Sequence, residues 1–116
     1  MVDIIIANNN KINGEGLKTI LQSKTGNRVL GIVGSIEELI QKSSRYFPQI
    51  VVMDYSCNTF GLQSIKEIKK LYKDCKILAI TDKLPKSTMY TALKNGVDSY
   101  LFSDCEPPEI MEAIAD

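Results

Sequence analysis

Four consecutive apolar residues, Ile50-Val51-Val52-Met53, run directly into a carboxylate, Asp54, and then into the polar stretch Tyr55-Ser56-Cys57. A continuous apolar run bounded by turn residues reads as a strand covered on both faces. In a chain that alternates strands with helices it marks the centre of a parallel sheet. Asp54 then falls at the carboxyl end of that strand. Ligand crevices of open α/β sheets lie outside those ends, where the strand order reverses.

The flanking sequence supplies the alternation. Val2 to Ala7 reads as a first strand, ended by Asn8-Asn9-Asn10, because asparagine favours turn geometry over ladder pairing. A helix is expected from Lys11 to Lys24, with Leu17, Ile20 and Leu21, and Ile12 upstream, on its apolar side and Gly26 closing it. Gly14 and Gly16 each weaken that helix by up to ~1 kcal/mol relative to alanine. Arg28 to Val33 reads as the second strand. Ser35-x-x-Glu38 is a capping box opening a second helix, which buries Ile36, Leu39 and Ile40 and is over by Pro48. A third helix, Gly61 to Lys73, places Leu62, Ile65, Ile68 and Leu71 on one stripe and Lys66, Lys69, Lys70 and Lys73 on the wet side. Lys76 to Ile80 is the fourth strand, leading to Thr81-Asp82. Pro85 and Ser87 start a fourth helix with Met89, Ala92 and Leu93 inward, and Gly96 ends it as a left-handed cap. Asp98 to Phe102 is the fifth strand. Pro107-Pro108 starts the last helix, with Ile110, Met111 and Ile114 facing the core.

Five strand–helix units without linker, repeat or low-complexity segment imply one domain over residues 1–116, a parallel five-stranded sheet with right-handed crossovers and helices on both faces. The compact doubly wound solution has strand order 2-1-3-4-5, with its switch point between strands one and three. Asn8, Asn9 and Asp54 come to one crevice in that arrangement, with Thr81 and Ser103 at the neighbouring strand ends. Lys plus Arg and Asp plus Glu both number 14, so no broad basic field marks a nucleic-acid binder. The chain has three cysteines, Cys57, Cys75 and Cys105, without C-x-x-C spacing, and no histidine, which argues against a disulfide framework and a zinc site. Cys57 and Cys105 fall in loops at one edge of the sheet, so a redox role is conceivable, but free thiols are the simpler reading. No stretch reads as a membrane span or a secretory signal, and a cytoplasmic location is expected.

Three segments then resemble the receiver domain of bacterial two-component response regulators, in particular those followed by a helix-turn-helix DNA-binding domain. Val51-Val52-Met53-Asp54 looks like the strand bearing the phosphoacceptor, Ile77-Leu78-Ala79-Ile80-Thr81 like the strand ending in the switch hydroxyl, and Ala92-Leu93-Lys94-Asn95-Gly96-Val97-Asp98-Ser99-Tyr100-Leu101 like the segment before the last helix. The resemblance implies a flavodoxin-like (βα)5 fold and a signalling domain rather than an enzyme. It implies that Asp54 stands where a histidine kinase's phosphoryl group is accepted with Mg²⁺ bound, that Thr81 contacts that group, and that Tyr100 turns inward in response. Taken singly, the three have ordinary readings as a turn residue, a strand end and half-buried packing. Their order along the chain sets them apart.

The departures fall on the chemistry. Asn8 and Asn9 stand where the family has an acidic pair, Ser103 where it has a lysine, and Asp82 where a small residue is common. The loop after Asp54 is one residue shorter before Gly61, which displaces Ser56, whose carbonyl would be a metal ligand. Any Mg²⁺ site at Asp54, Asn9 and Ser56 is therefore expected to be weak or lost, and no other cofactor is expected. The first reading is a degenerate receiver acting through protein–protein contact, with self-association through Tyr90, Tyr100, Phe102 and Pro107. DNA would be reached only through an output domain beyond Asp116. The second is a conventional receiver phosphorylated on Asp54 by a histidine kinase. The third is a domain binding a small ligand, such as a flavin or nucleotide, at the switch point, although no glycine-rich phosphate loop follows the first strand.

Overall fold

Strand and helix alternate five times: β1 (Val2–Ala7), α1 (Lys11–Gln22), β2 (Asn27–Val33), α2 (Ile36–Tyr46), β3 (Ile50–Asp54), α3 (Leu62–Leu71), β4 (Lys76–Thr81), α4 (Lys86–Lys94), β5 (Ser99–Phe102) and α5 (Pro107–Ala115). The computed structural model describes residues 2–55, 59–82 and 84–115. All four strand pairings are parallel, in the order β2-β1-β3-β4-β5. This is the doubly wound, flavodoxin-like sheet that the alternation predicts.

Because side chains alternate across a strand, the unbroken apolar runs of β1 and β3 feed two cores at once. Ile5, Ala7, Val51 and Met53 point to one face, where they meet Leu39 of α2, Ile65 and Ile68 of α3 and Ala92 of α4. Ile4, Ile6 and Val52 point to the other, against Leu21 of α1 and Ile110 and Ile114 of α5. Each fully buried side chain of this size contributes about 1.5–3 kcal/mol, so both faces are needed to hold the central strands.

Four expectations are corrected by the packing. Ile12 is 84% exposed, because at 100° per residue it lies about 180° around α1 from the buried Leu21. Leu71 is 52% exposed: it sits in the last turn of α3, which overhangs the amino edge of the sheet beside Phe47 and Tyr72. Leu93 is 39% exposed at the margin of α4, whose buried residues are Met89 and Ala92. Lys69 is not on the wet side. Its ammonium donates to the Cys75 carbonyl at 2.7 Å and to Asp98 Oδ2 at 2.8 Å.

The caps also differ in detail. The Ser35 hydroxyl accepts from the Glu38 N–H at 3.2 Å, but the Glu38 carboxylate reaches back to the Gly34 N–H rather than that of Ser35. Asn10 caps α1 through its side-chain oxygen, which accepts from the Asn13 N–H at 3.1 Å. Gly26 lies beyond the end of α1 at φ +102°, and Gly96, just past α4, is at φ +128° as expected of a left-handed cap.

Candidate functional site at the carboxyl edge of the sheet

Asp54 is the last residue of β3 and is half-buried. The parallel ladders continue briefly past the strand ends. The Asn8 N–H donates to the Val33 carbonyl (2.9 Å), Tyr55 N–H to Ile80 (2.8 Å) and Ser103 N–H to Thr81 (2.8 Å). These bonds carry Asn8, Asp54, Asp82 and Ser103 to the walls of one crevice of about 530 Å³. Its remaining side is formed by α1, through Ile12, Asn13, Leu17 and Ile20, with Ile80 from β4. Strand order alone does not reveal the α1 contribution, although the exposed phase of Ile12 on the helical wheel is legible in the sequence.

The polar side chains are held by specific partners. Asn8 is 5% exposed, and its side-chain oxygen accepts from the Asn10 N–H at 2.8 Å, closing an Asx turn. Asn9 does not line the crevice. Its amide donates to the Thr59 hydroxyl at 2.9 Å. Ser103 donates its hydroxyl to Asp82 Oδ1 at 2.6 Å, joining the loop after β4 to the loop after β5. Thr81 is fully buried beside the crevice, with its hydroxyl donating to the Asp82 carbonyl at 3.0 Å. Tyr100 lies on the surface of β5, its ring edge-on to Phe102 at a centroid distance of 5.8 Å. Ser56 and Cys57 lie outside the described residues.

The two described thiols are free and unactivated. Burial pushes the Cys75 thiol up to about 11, and burial, with Glu109 and Asp104 nearby, also raises Cys105. Raised pKa values deplete the reactive thiolate, so neither has the character of a redox sensor. A wider groove of about 720 Å³ lies at the opposite, amino edge, where Phe47, Leu71 and Tyr72 meet the end of α5. Its described lining includes Cys75 but none of Asn8, Asn9, Asp54, Thr81, Asp82, Tyr100 or Ser103.

Among the described residues, no helix is long and apolar enough to cross a membrane. Comparison with known proteins agrees with the topology. The chain is 25% identical over 114 residues to the response regulator protein VraR of Staphylococcus aureus, covering 97% of this chain and 54% of that protein. It is also 25% identical over 112 residues to a nitrate/nitrite response regulator homologue of Haemophilus influenzae, covering 96% and 54% respectively. It thus spans about half the length of the curated relatives it matches. Among solved structures, the signal receiver domain of the putative response regulator NarL from Mycobacterium tuberculosis superposes with a TM-score of 0.90 at 19% identity, covering 99% of this chain and 94% of that one. A LuxR-family two-component response regulator from Aurantimonas gives a TM-score of 0.91 at 22% identity, over 99% and 83%. Residues 4–115 match the response regulator receiver domain family, and with its 2-1-3-4-5 sheet, whose central strand β3 ends at Asp54, this chain belongs to it.

Proposed function

We propose that this receiver is degenerate: it keeps the fold and the aspartate position but signals through protein contact, independently of Mg²⁺-dependent phosphorylation of Asp54. The observation that carries the reading is the donor chemistry of the crevice. At the acidic-pair positions, Asn8 has its carbonyl oxygen engaged by the Asn10 N–H and Asn9 is turned to Thr59. Ser103, at the lysine position, bonds Asp82. Mg²⁺ takes oxygen ligands in near-octahedral geometry and gains affinity from their charge. Among the described lining residues, only Asp54 and Asp82 carry charge. These residues do not fit the ion well. Each absent carboxylate forgoes on the order of 4 kcal/mol of attraction at 4 Å and an effective dielectric near 20, before desolvation is subtracted. Phosphoryl transfer relies on positioning and on neutralising the phosphoryl oxygens, and the lysine that would share that task is a serine here.

The conventional reading draws on the adjacency of Asp54, ending β3, and Thr81, ending β4, in paired strands. Exposure to acetyl phosphate and Mg²⁺ followed by intact mass measurement decides between the two. No phosphoryl adduct is expected. An adduct that disappears in Asp54→Asn would establish the phosphoacceptor instead.

The contact surface proposed is the α4–β5–α5 face. Tyr90 and Tyr100 are exposed there with Pro107, and Phe102 is half-buried, on a domain of zero net charge where little repulsion keeps copies apart. A weak dimer without phosphorylation is expected in sedimentation experiments, weakened by Tyr90→Ser. A domain that stays monomeric at high concentration would remove self-association from the proposal. Any action on DNA would run through an output domain outside this sequence.

A further inference from the structure

We propose that the domain stacks head to tail on a second copy of itself, the groove at the amino edge of one sheet receiving the carboxyl edge of the next. This contact is separate from the α4–β5–α5 face and independent of the state of Asp54. Its first support is the distribution of charge behind the net value of zero. In a parallel sheet every helix starts at the carboxyl edge and ends at the amino edge. Acids gather at the carboxyl edge: Glu37 and Glu38 open α2, Asp82 follows β4, and Asp104, Glu106 and Glu109 surround the start of α5. Only Lys11 and Lys86, at the starts of α1 and α4, oppose them among the described residues. Bases gather at the amino edge: Lys24 follows α1, Arg45, Lys70 and Lys94 lie in the last turns of α2, α3 and α4, and Lys73 lines the groove. Of the acids described there, Asp3 is paired with Arg28, and Asp98 is shared by Lys69 and Lys76, which leaves Asp74. Lys83 and Asp116 lie outside the described residues, and setting one charge of each against these balances changes neither sign.

The second support is apolar surface at the same two edges. Ile12, 84% exposed, stands at the carboxyl edge, while Phe47 and Leu71, 69% and 52% exposed, line the amino-edge groove of about 720 Å³ with Ile50 and Tyr72. Helix dipoles by themselves favour acids in first turns and bases in last turns, but they give no reason for bare apolar side chains there. Seating Ile12 of one copy in the groove of the next covers both apolar sets and sets opposite charges around them. The backbone of Phe47 is the third support. It is left-handed, at φ 48°, which a bulky side chain adopts at a cost, and the exposed ring returns little to the fold for it. Strain of this kind is kept where a contact uses the residue.

Sedimentation tests the contact on a Tyr90→Ser parent, in which the α4–β5–α5 dimer is weakened, so that failure of one contact is not read as failure of the other. The average mass should rise with concentration past two copies, because each head-to-tail pair still has a free groove at one end and a free Ile12 at the other. It should fall back at about 1 M salt, where a charge acts over about 3 Å. Phe47→Asn removes the ring and suits the left-handed backbone, and Ile12→Ser removes the other half of the contact. Each should weaken association roughly tenfold, with no fall in melting temperature in dilute solution. Mixed one to one, the two variants should associate again and stop at two copies. Only the groove of the Ile12→Ser copy and Ile12 of the Phe47→Asn copy are then intact. A parent that stays monomeric or levels off at two copies, variants that associate like the parent, or a mixture no better than its components would each overturn the proposal. A lower melting temperature for Phe47→Asn would also do so, by making Phe47 a residue of the fold. Retention of a monomeric parent on phosphatidylserine vesicles, lost in Lys73→Glu, would assign the amino edge to an anionic lipid surface instead.

Discussion

The Asp98 carboxylate joins three elements at the amino edge of the sheet. Its Oδ2 accepts from the Ile77 N–H of β4 at 2.8 Å and from Lys69 Nζ of α3 at 2.8 Å, and Lys69 in turn donates to the Cys75 carbonyl. Gly96 makes room for this: a Cβ there would lie 2.7 Å from Lys69 Cγ, and its φ of +128° already favours glycine. Asp98→Ala would leave the Ile77 N–H without its acceptor and a lysine that is only 21% exposed without its counter-charge, holding only the Cys75 carbonyl. A loss of about 2 kcal/mol is expected, because the site is part-buried and neither group is fully returned to water. Urea unfolding should show a lower midpoint with little change in slope, and Asp98→Asn should lose less. None of this is legible in the lysine pattern of α3. Helical spacing is a local signal, and the partner that draws Lys69 inward is 29 residues away.

At the scale of elements, α1 shows how far periodicity carries and where it stops. Its two glycines look alike in the sequence, each an interruption of a helix. In the fold they are opposites. A Cβ on Gly14 would lie 2.7 Å from Ile32 Cγ2, a branch methyl of a stiff side chain, so the glycine lets α1 approach β2. A Cβ on Gly16 would meet nothing within 4 Å. Gly16→Ala should therefore stabilise the domain by up to ~1 kcal/mol, the helix-propensity gain alone. Gly14→Ala has the same gain but must displace Ile32, at typically 1–3 kcal/mol for overpacking, and should be a net loss. Thermal denaturation of the two variants checks the sign of each. Existence and order of the ten elements are legible because strand and helix periods differ. The close approach of α1 to β2 at Gly14 is not, since helical spacing gives the phase of Ile12 against Leu21 but not which residue of another element a position meets.

For the whole molecule, the order of the sheet is legible because five consecutive strand–helix units have few compact arrangements. The chemistry of the crevice is legible only by residue type. That Asn8 is engaged by its own turn and that Ser103 bonds Asp82 depend on loop geometry, which has no period to read. Reversal tests whether those residues disable the site. Asn8→Asp with Asn9→Asp returns charge to the acidic-pair positions, and an aspartate at position 8 can still accept from the Asn10 N–H, so the turn should survive. Two added carboxylates near Asp54 and Asp82 repel one another without metal, and the double variant should unfold more easily in chelator. Mg²⁺ should then restore stability by mass action, about 2.7 kcal/mol at a concentration 100 times the dissociation constant. Adding Ser103→Lys supplies the remaining charge and should raise acetyl-phosphate labelling at Asp54. It also removes the Ser103–Asp82 bond, so Ser103→Ala is the control for that loss alone. A triple variant that folds yet neither responds to Mg²⁺ nor becomes labelled would move the cause away from positions 8, 9 and 103. The shortened loop after Asp54 and the Asp82 carboxylate would then be the next residues to change.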